Sequence, residues 1–225
     1  MNTLRFLKRN LLQCAILAAP FAFLTVEWNS FPARVPIHWN VYGRVDGWAG
    51  KGMGLLLLPL TGVFVALLLT WLPRMDPKLR RQPETAERTL KVVGILRLAI
   101  TAFLSFVSIL TETAALGHAF NMTRVAMNAA IVLLVVIGNF FGKLKPNYFV
   151  GIRTPWTLES PDVWRATHRI GGRIFVFGGL SLLLLQFALT PIELVVALMV
   201  FVLSATTWAF FYSYRLSRTH SAAGP

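Results

Sequence analysis

The sequence predicts an all-α polytopic membrane protein with six transmembrane helices. Of its 225 residues, 56% are hydrophobic and 14% are charged, whereas soluble domains carry about 25% charged residues. The apolar residues form six runs, most of them close to the ~20 residues that a helix needs to cross a bilayer. These runs cover residues 11–26, 53–73, 92–113, 125–142, 170–190 and 192–212. The last two meet at Thr190-Pro191, which predicts a tight antiparallel hairpin.

The net charge of +13 indicates membrane topology rather than nucleic-acid binding. Lys and Arg residues gather before the first run, between the second and third, between the fourth and fifth, and after the sixth. The alternate loops hold only Arg34, Arg44, Lys51 and Arg124. Because basic loops stay on the cytoplasmic side, both termini are predicted to be cytoplasmic. No direct contact with nucleic acid is expected.

The first run is interpreted as an uncleaved span. A cleaved signal peptide would need a small-x-small site at the end of the run, and none is clear. The single Cys14 lies inside this run. Neither a disulfide framework nor a Cys-based zinc site is therefore predicted.

The loop between the first two runs, EWNSFPARVPIHWNVYGRVDGWAGK, is predicted to lie outside the cytoplasm. Hydrophobic residues alternate with other residues over positions 35–42, which predicts a short extended piece. Gly43 and Asp46-Gly47 predict turns. His38 and Asn40 would then share a face, towards which Asp46 returns. We predict that these three residues form one polar cluster.

The next connecting segment, RMDPKLRRQPETAERTLK (residues 74–91), mixes both signs of charge with two Pro residues. This composition is typical of a solvated connector held near anionic lipid headgroups. No functional residue is predicted within it.

The segment NYFVGIRTPWTLESPDVWRATHRIGGR, residues 147–173, separates the fourth and fifth runs. Ser160-Pro161-Asp162 predicts a helix start, because Ser can cap, Pro fits the first turn and Asp is favoured by the helix dipole. Residues 147–158, with Gly151 and Pro155, are predicted to form an ordered loop. The helix that follows is predicted to enter the fifth span.

Two faces of this helix differ in character. One carries Trp164, Thr167, His168 and Gly171, at i, i+3, i+4 and i+7 spacing. The neighbouring face carries Arg165, Arg169 and Arg173. We predict a structured cytoplasmic platform in which Arg153, Trp164, His168 and Arg173 face one another. The alternative is anchoring of the segment at the membrane interface by Trp156 and Trp164.

Polar residues inside the predicted spans lie in stripes along their helices. The third span carries Arg97, Thr101, Ser105, Ser108 and Glu112; the fourth carries Asn128 and Asn139; the sixth carries Glu193 and Ser204. Ionisable residues inside a membrane usually have a function, although those near the ends of a span can extend their charged groups to water. Structural hydrogen bonding between helices and a solute or proton path both remain open. Gly171-Gly172 and Gly178-Gly179 predict close helix packing.

Two motifs resemble known families. Pro36-Ile37-His38-Trp39-Asn40, Gly43, Asp46-Gly47-Trp48 and Lys51 resemble the signature of the DUF1648 domain. Asn147, the run Gly151-Ile152-Arg153-Thr154-Pro155-Trp156-Thr157-Leu158, Trp164, Thr167-His168 and Gly171-Gly172-Arg173 resemble that of the SdpI family. The resemblance divides the chain into a DUF1648-like region (1–73) with two spans and an SdpI-like region (74–225) with four. It adds Lys51 to the ligand-binding candidates and Asn147 and Thr154 to the cytoplasmic motif.

The SdpI resemblance implies a six-helix protein of the bacterial inner membrane. The resemblance also implies an immunity role against a secreted toxic peptide and signalling by holding a repressor at the membrane. A non-enzymatic receptor or immunity protein is therefore the leading interpretation, with the lipid bilayer, a secreted peptide and a cytoplasmic repressor as implied partners. No cofactor is expected.

Two other classes of function remain open. A small-solute or proton-coupled transporter would use the polar stripes of the spans. A membrane-embedded enzyme would use His38, Asp46 and His118, which could bind zinc. A lone His in a wet loop is more often a hydrogen-bonding residue, so neither a metal site nor catalytic residues are predicted.

Overall fold

The computed structural model describes residues 3–222, with side chains from residue 10 to 219. Its elements are α1 (Thr3–Glu27), β1 (Arg34–Trp39), β2 (Val45–Gly50), α2 (Lys51–Trp71), α3 (Pro77–Arg80), α4 (Pro83–Ala115), α5 (Met122–Phe141), α6 (Pro155–Glu159), α7 (Pro161–Leu185) and α8 (Pro191–Ala222). Six helices of this described part are long and apolar enough to cross a membrane. The predicted helical class and the six spans are confirmed. The basic side chains before residue 10, which enter the charge asymmetry, and the terminus after Ala222 lie outside the described residues.

The helices differ from the predicted runs mainly at their ends. α4 begins at Pro83, nine residues before the predicted run, because TAERTLK consists largely of residues that favour helix and Pro83 fits a first turn. α7 is one continuous helix that ends at Leu185, five residues before the end of the predicted run. The helix cannot continue through Thr190, because a residue that precedes proline disfavours helical backbone. Part of the predicted 147–158 loop forms α6.

The chain packs into two compact units. One comprises Met1–Leu68 and Arg97–Ala130, and the other comprises Leu69–Leu96 and Ile131–Pro225. Helices α2, α4 and α5 therefore contribute residues to both units. This division reflects packing, whereas the boundary at residue 74 reflects sequence motifs and stays a prediction.

The first unit contains α1, the β1–β2 hairpin, and parts of α2, α4 and α5. Its buried apolar cluster joins Leu24, Phe31, Val35, Leu55 and Ala115. The start of α2 packs closely against the hairpin: Gly54 is so near to Val35 of β1 that a Cβ on Gly54 would clash with it. The hairpin is thus packed on helices rather than left free in solvent.

The second unit contains α3, α6, α7, α8 and the remaining parts of α2, α4 and α5. Its buried cluster joins Val92, Val93, Leu96, Leu144 and Trp164. The predicted close helix packing is confirmed for this unit. A Cβ on Gly172 would lie 2.6 Å from the carbonyl oxygen of Gly138 on α5, and a Cβ on Gly179 would lie 2.5 Å from Val135.

Candidate functional site

The antiparallel hairpin brings His38 and Asp46 together. His38 Nδ1 lies 2.5 Å from Asp46 Oδ1, and both side chains are exposed. His38 pairs with Gly47 in the register, between two irregularities in the ladder. A Cβ on Gly47 would lie 2.8 Å from that of His38, so the absent side chain at residue 47 lets the strands approach. The result is an exposed acid–imidazole pair.

Asn40 is not part of this pair, because its side chain closes the hairpin turn. Its Oδ1 accepts hydrogen bonds from the backbone of Tyr42 (3.0 Å) and Arg44 (3.1 Å). Gly43 has a φ of +79°, a left-handed conformation that favours glycine. The Asn40 carbonyl also accepts from the Thr123 hydroxyl at 2.9 Å. The predicted three-residue cluster is therefore one contacting pair beside a turn that is fastened to α5.

Lys51 is the first residue of α2. Its backbone N–H donates to the Ala33 carbonyl at 3.0 Å, and its Nζ lies 4.8 Å from the centre of the Trp28 ring. Such a cation–π contact orients the ammonium group over an aromatic face. Lys51 therefore joins the base of the hairpin to the segment after α1.

In the second unit, Asn147 organises the loop that begins the 147–173 segment. It is 1% exposed, and its Oδ1 accepts from the backbone of Phe149 (2.9 Å) and Val150 (2.7 Å). Its Nδ2 donates to the carbonyls of Lys145 and Val150, both at 2.9 Å. One buried amide thus satisfies four backbone groups, which makes this loop a fixed turn.

His168 holds the end of that loop against α7. Its Nε2 accepts a hydrogen bond from the backbone N–H of Ile152 at 2.9 Å. Its Nδ1 donates to the Trp164 carbonyl at 2.9 Å, so the imidazole is neutral in this arrangement. Gly151 has a φ of +121°, and a Cβ there would clash with His168. In the Gly151-Ile152 pair of the motif, Gly151 thus lets the backbone approach the imidazole, and Ile152 donates the hydrogen bond to it.

Trp164 and His168 form the buried centre of the segment. Both are 0% exposed, and their rings stack with centroids 4.0 Å apart. The Trp164 indole N–H donates to the Leu144 carbonyl at 2.9 Å. Trp164 is therefore a core residue, which corrects its predicted alternative role as an interface anchor.

Thr154 and Thr157 fix the short helix α6 and attach it to α8. They form a reciprocal capping box at its start, and the Thr154 hydroxyl donates to Ser213 Oγ at 2.9 Å. Thr157 also donates to the Ile152 carbonyl at 2.8 Å. Trp156 lies between Phe210 and Tyr214, with ring centroids 5.1 and 5.0 Å away.

The segment after α2, predicted to be a solvated connector, contains a buried carboxylate. Asp76 is 0% exposed and caps α3 by accepting from the backbone of Lys78 and Leu79 at 2.8 and 3.3 Å. Its other oxygen accepts from the backbone N–H of Tyr148 at 2.6 Å. The Asp76-Pro77 pair is a helix-start signal that could have revealed the cap.

Lys78 makes a second link from α3 to the 147–173 segment. Its Nζ donates to the Leu158 carbonyl, near the end of α6, at 2.5 Å. It also lies 5.2 Å from the centre of the Tyr148 ring. Sequence reasoning missed both Asp76 and Lys78, because these contacts join residues 72 and 80 positions apart.

The Arg residues of the segment do not face Trp164 and His168 as predicted. Arg153 is exposed, and its Nη1 donates to the Tyr148 carbonyl at 2.5 Å. Arg173 is also exposed. The buried rings exclude these cations because a buried guanidinium without a carboxylate is costly. The platform is therefore a neutral buried centre with an exposed basic surface. Thr167, 0% exposed, belongs to the buried centre.

The buried polar candidates of the spans divide into two groups. In the first unit, Gln13 donates to Thr101 at 2.7 Å and Ser108 donates to Glu112 at 2.9 Å. Glu112 is 1% exposed, so it does not snorkel to water. Arg97 and Asn128 are half-buried and engaged in polar or electrostatic contacts.

Among the remaining residues of these stripes, Ser105 is buried, whereas Asn139, Glu193 and Ser204 are not. Asn139 is exposed, which corrects its assignment as a buried polar residue. Glu193 is exposed as well, and it accepts from the backbone N–H of Thr190 at 2.8 Å, at the start of α8. The i+11 spacing places residues on one helix face, but it does not tell which face is covered.

Within the described residues, no group of three or more His, Cys, Asp or Glu side chains could hold a metal ion. The exposed His38–Asp46 pair can donate and accept hydrogen bonds. The exposed Arg residues around α6 and α7 can bind anionic groups, and buried His168 is committed to its two hydrogen bonds.

These features define a multi-pass helical membrane protein with two motif-bearing units. Residues 143–214 match the SdpI/YfhL protein family, and residues 15–63 match a domain of unknown function, DUF1648. The chain is also 23% identical to "Immunity protein SdpI" of Bacillus subtilis (strain 168), over 93% of this chain and 97% of that protein. Both predicted resemblances are confirmed: the chain is a multi-pass membrane protein that is similar to the SdpI/YfhL family and to the DUF1648 domain. No solved structure gave a significant match.

Proposed function

We propose that this protein is a non-enzymatic immunity and signalling protein of the bacterial inner membrane that senses or neutralises a secreted peptide. We base this on the similarity to the immunity protein SdpI, which runs through both motif regions over 93% of the chain. The geometry supports the proposal, because the hairpin offers an exposed His38–Asp46 pair with unused hydrogen-bonding capacity. A peptide ligand presents amide and charged groups that such a pair can bind.

The 147–173 segment is proposed to respond on the cytoplasmic side. Its backbone is fastened to α3 through Asp76 and to α7 through His168, and the Thr154 side chain fastens it to α8. A segment with so many internal hydrogen bonds can shift as a unit when a neighbouring helix moves. Its exposed Arg153 can meet acidic groups of a cytoplasmic repressor.

The proposed sidedness can be tested by cysteine labelling. Cys14 is the single cysteine of the chain, so a Cys14→Ser background can carry either Tyr42→Cys, in the exposed hairpin turn, or Gln82→Cys, in the exposed segment before α4. The positive-inside rule predicts that an impermeant maleimide labels the first in intact cells and the second only after permeabilisation. Labelling of Gln82→Cys in intact cells would contradict the cytoplasmic assignment.

The function itself can be tested by protection of a sensitive bacterium challenged with the secreted toxic peptide that the resemblance implies. Asp46→Asn and Arg153→Ala should each reduce survival towards that of cells without the protein, because each removes a charge available to a partner. Arg81→Gln, an exposed charge change outside both motifs, serves as control, and all variants are compared at equal membrane levels. Full protection by both test variants would contradict the proposal.

One observation favours a transporter as the second candidate. The Glu112 carboxylate is buried in α4, and its Oε2 has no hydrogen-bond partner among the described residues. A buried carboxylate of this kind is a common proton or cation carrier in membranes. The variant Glu112→Gln should therefore be tested in the same protection assay. Loss of protection in this variant, with full protection in Asp46→Asn, would favour transport over peptide sensing.

A further inference from the structure

A surface groove lies between α5 and α7 in the second unit. It has a volume of about 310 Å³ and opens beside the point where Gly138 and Gly172 bring the two helix backbones together. Asn139 lines it from α5, Gly142 lines it just after the end of α5, and Arg169, Arg173, Val176 and Phe177 line it from α7. Gly142 has no side chain and is exposed, so the space beside the Arg169 backbone is left open.

The groove carries two positive charges that nothing else in the described chain neutralises. Arg169 and Arg173 are exposed, and neither takes part in a hydrogen bond or ion pair with another described residue. The lining residues include no carboxylate. Arg165, one turn earlier on the same face, differs because it pairs with Asp162. On this face of α7, the Arg residues without an ion pair are therefore the two that line the groove.

The chemistry changes from basic to apolar along the groove. Arg169 and Arg173 lie at the border of the apolar part of α7, and Val176 and Phe177 follow within about one helical turn. Phe177 is 66% exposed, an aromatic surface that α5 does not cover. A ligand that fits both parts carries an anionic head and a hydrocarbon tail.

We propose that this groove binds an anionic phospholipid of the surrounding bilayer. The phosphate lies between the guanidinium groups of Arg169 and Arg173 with Asn139 as a further hydrogen-bond donor, and an acyl chain lies along Val176 and Phe177. Guanidinium groups bind phosphate oxygens through charge-assisted hydrogen bonds. Basic pockets between transmembrane helices are suited to phospholipid headgroups. A free phosphate ion would leave the apolar half of the groove unused.

The test is a titration of the full-length protein, purified in a neutral detergent, with phosphatidylglycerol, phosphatidylcholine of the same acyl chains, or inorganic phosphate. We expect saturable binding of phosphatidylglycerol alone. The double variant Arg169→Gln/Arg173→Gln should bind it about thirtyfold more weakly and each single variant about fivefold more weakly. Gly142→Leu, which fills the groove without a change of charge, should also weaken binding.

Arg165→Gln is the matched control, since it removes a paired Arg of the same helix face and should leave the affinity unchanged. An equal loss in this control would indicate diffuse surface charge and overturn the proposal. Equal binding of phosphatidylcholine, or saturation by inorganic phosphate, would overturn it as well. Displacement of phosphatidylglycerol by a soluble acidic peptide at equal concentration would assign the groove to a protein partner instead.

Discussion

Trp164→Ala should lower the free energy of unfolding in detergent micelles by about 4 kcal/mol, the cost typical of removing a fully buried aromatic ring. The ring is 0% exposed, stacks on His168 at 4.0 Å and contacts the cluster around Val92 and Leu96. Its removal leaves a cavity and also leaves the Leu144 carbonyl without its indole donor.

Trp164→Phe separates the two contributions. It keeps an aromatic ring in the cluster but loses the N–H that reaches Leu144, so we expect a loss of about 1–2 kcal/mol. Trp71→Ala is the control, because Trp71 belongs to the same unit but is 62% exposed; its effect should stay within about 0.5 kcal/mol. Equal destabilisation by Trp164→Ala and Trp71→Ala would contradict the role of Trp164 as a core residue.

Asp76→Ala should cost about 3 kcal/mol, because it combines the loss of a helix cap with the loss of a charged acceptor in a buried site. Three backbone N–H groups, those of Tyr148, Lys78 and Leu79, lose their partner. The loop 147–150 then loses its link to α3. Hydrogen exchange at the Tyr148 amide should therefore rise in this variant before the rest of the second unit unfolds.

Two further variants make the Asp76 measurement specific. Asp76→Asn retains one acceptor oxygen and should fall between the wild type and Asp76→Ala. Glu84→Ala removes an exposed acid from the first turn of α4, and its effect should not exceed about 0.5 kcal/mol. If Asp76→Ala matched Glu84→Ala in stability and in exchange at Tyr148, residues 74–91 would be the solvated connector that their composition predicts.

The buried centre of the 147–173 segment explains why its Arg residues are exposed. Trp164, Thr167 and His168 use one face of α7 for packing, so the Arg residues at i+4 spacing are directed to the adjacent exposed face. Arg165 is paired with Asp162, and Arg153 contacts the Tyr148 carbonyl. Arg169 and Arg173 are left available for an anionic group.

The part of the fold that follows from local physics could be predicted from the sequence. Six apolar runs must form helices because a bilayer satisfies no backbone hydrogen bonds. The Ser160-Pro161-Asp162 start of α7 followed from the same reasoning, and the Ser160 side chain caps it as predicted. The turn at Gly43 and the return of Asp46 to His38 also followed, since alternation and turn residues act over a few positions.

The tertiary structure alone decided which polar residues are buried and which partners they meet. Periodicity gave the faces on which Asn139 and Glu112 lie, but packing left the first exposed and buried the second. Asp76 meets Tyr148 across 72 residues, and Thr123 meets Asn40 across 83. Such contacts depend on which helices pack together, a non-local property that no spacing within one segment encodes. The sequence by itself determined the six long helices, the hairpin turn and the Ser160 cap of α7. Helix packing decided that Asp76 and Lys78, in a segment whose composition predicts a solvated connector, bind and support the 147–173 segment.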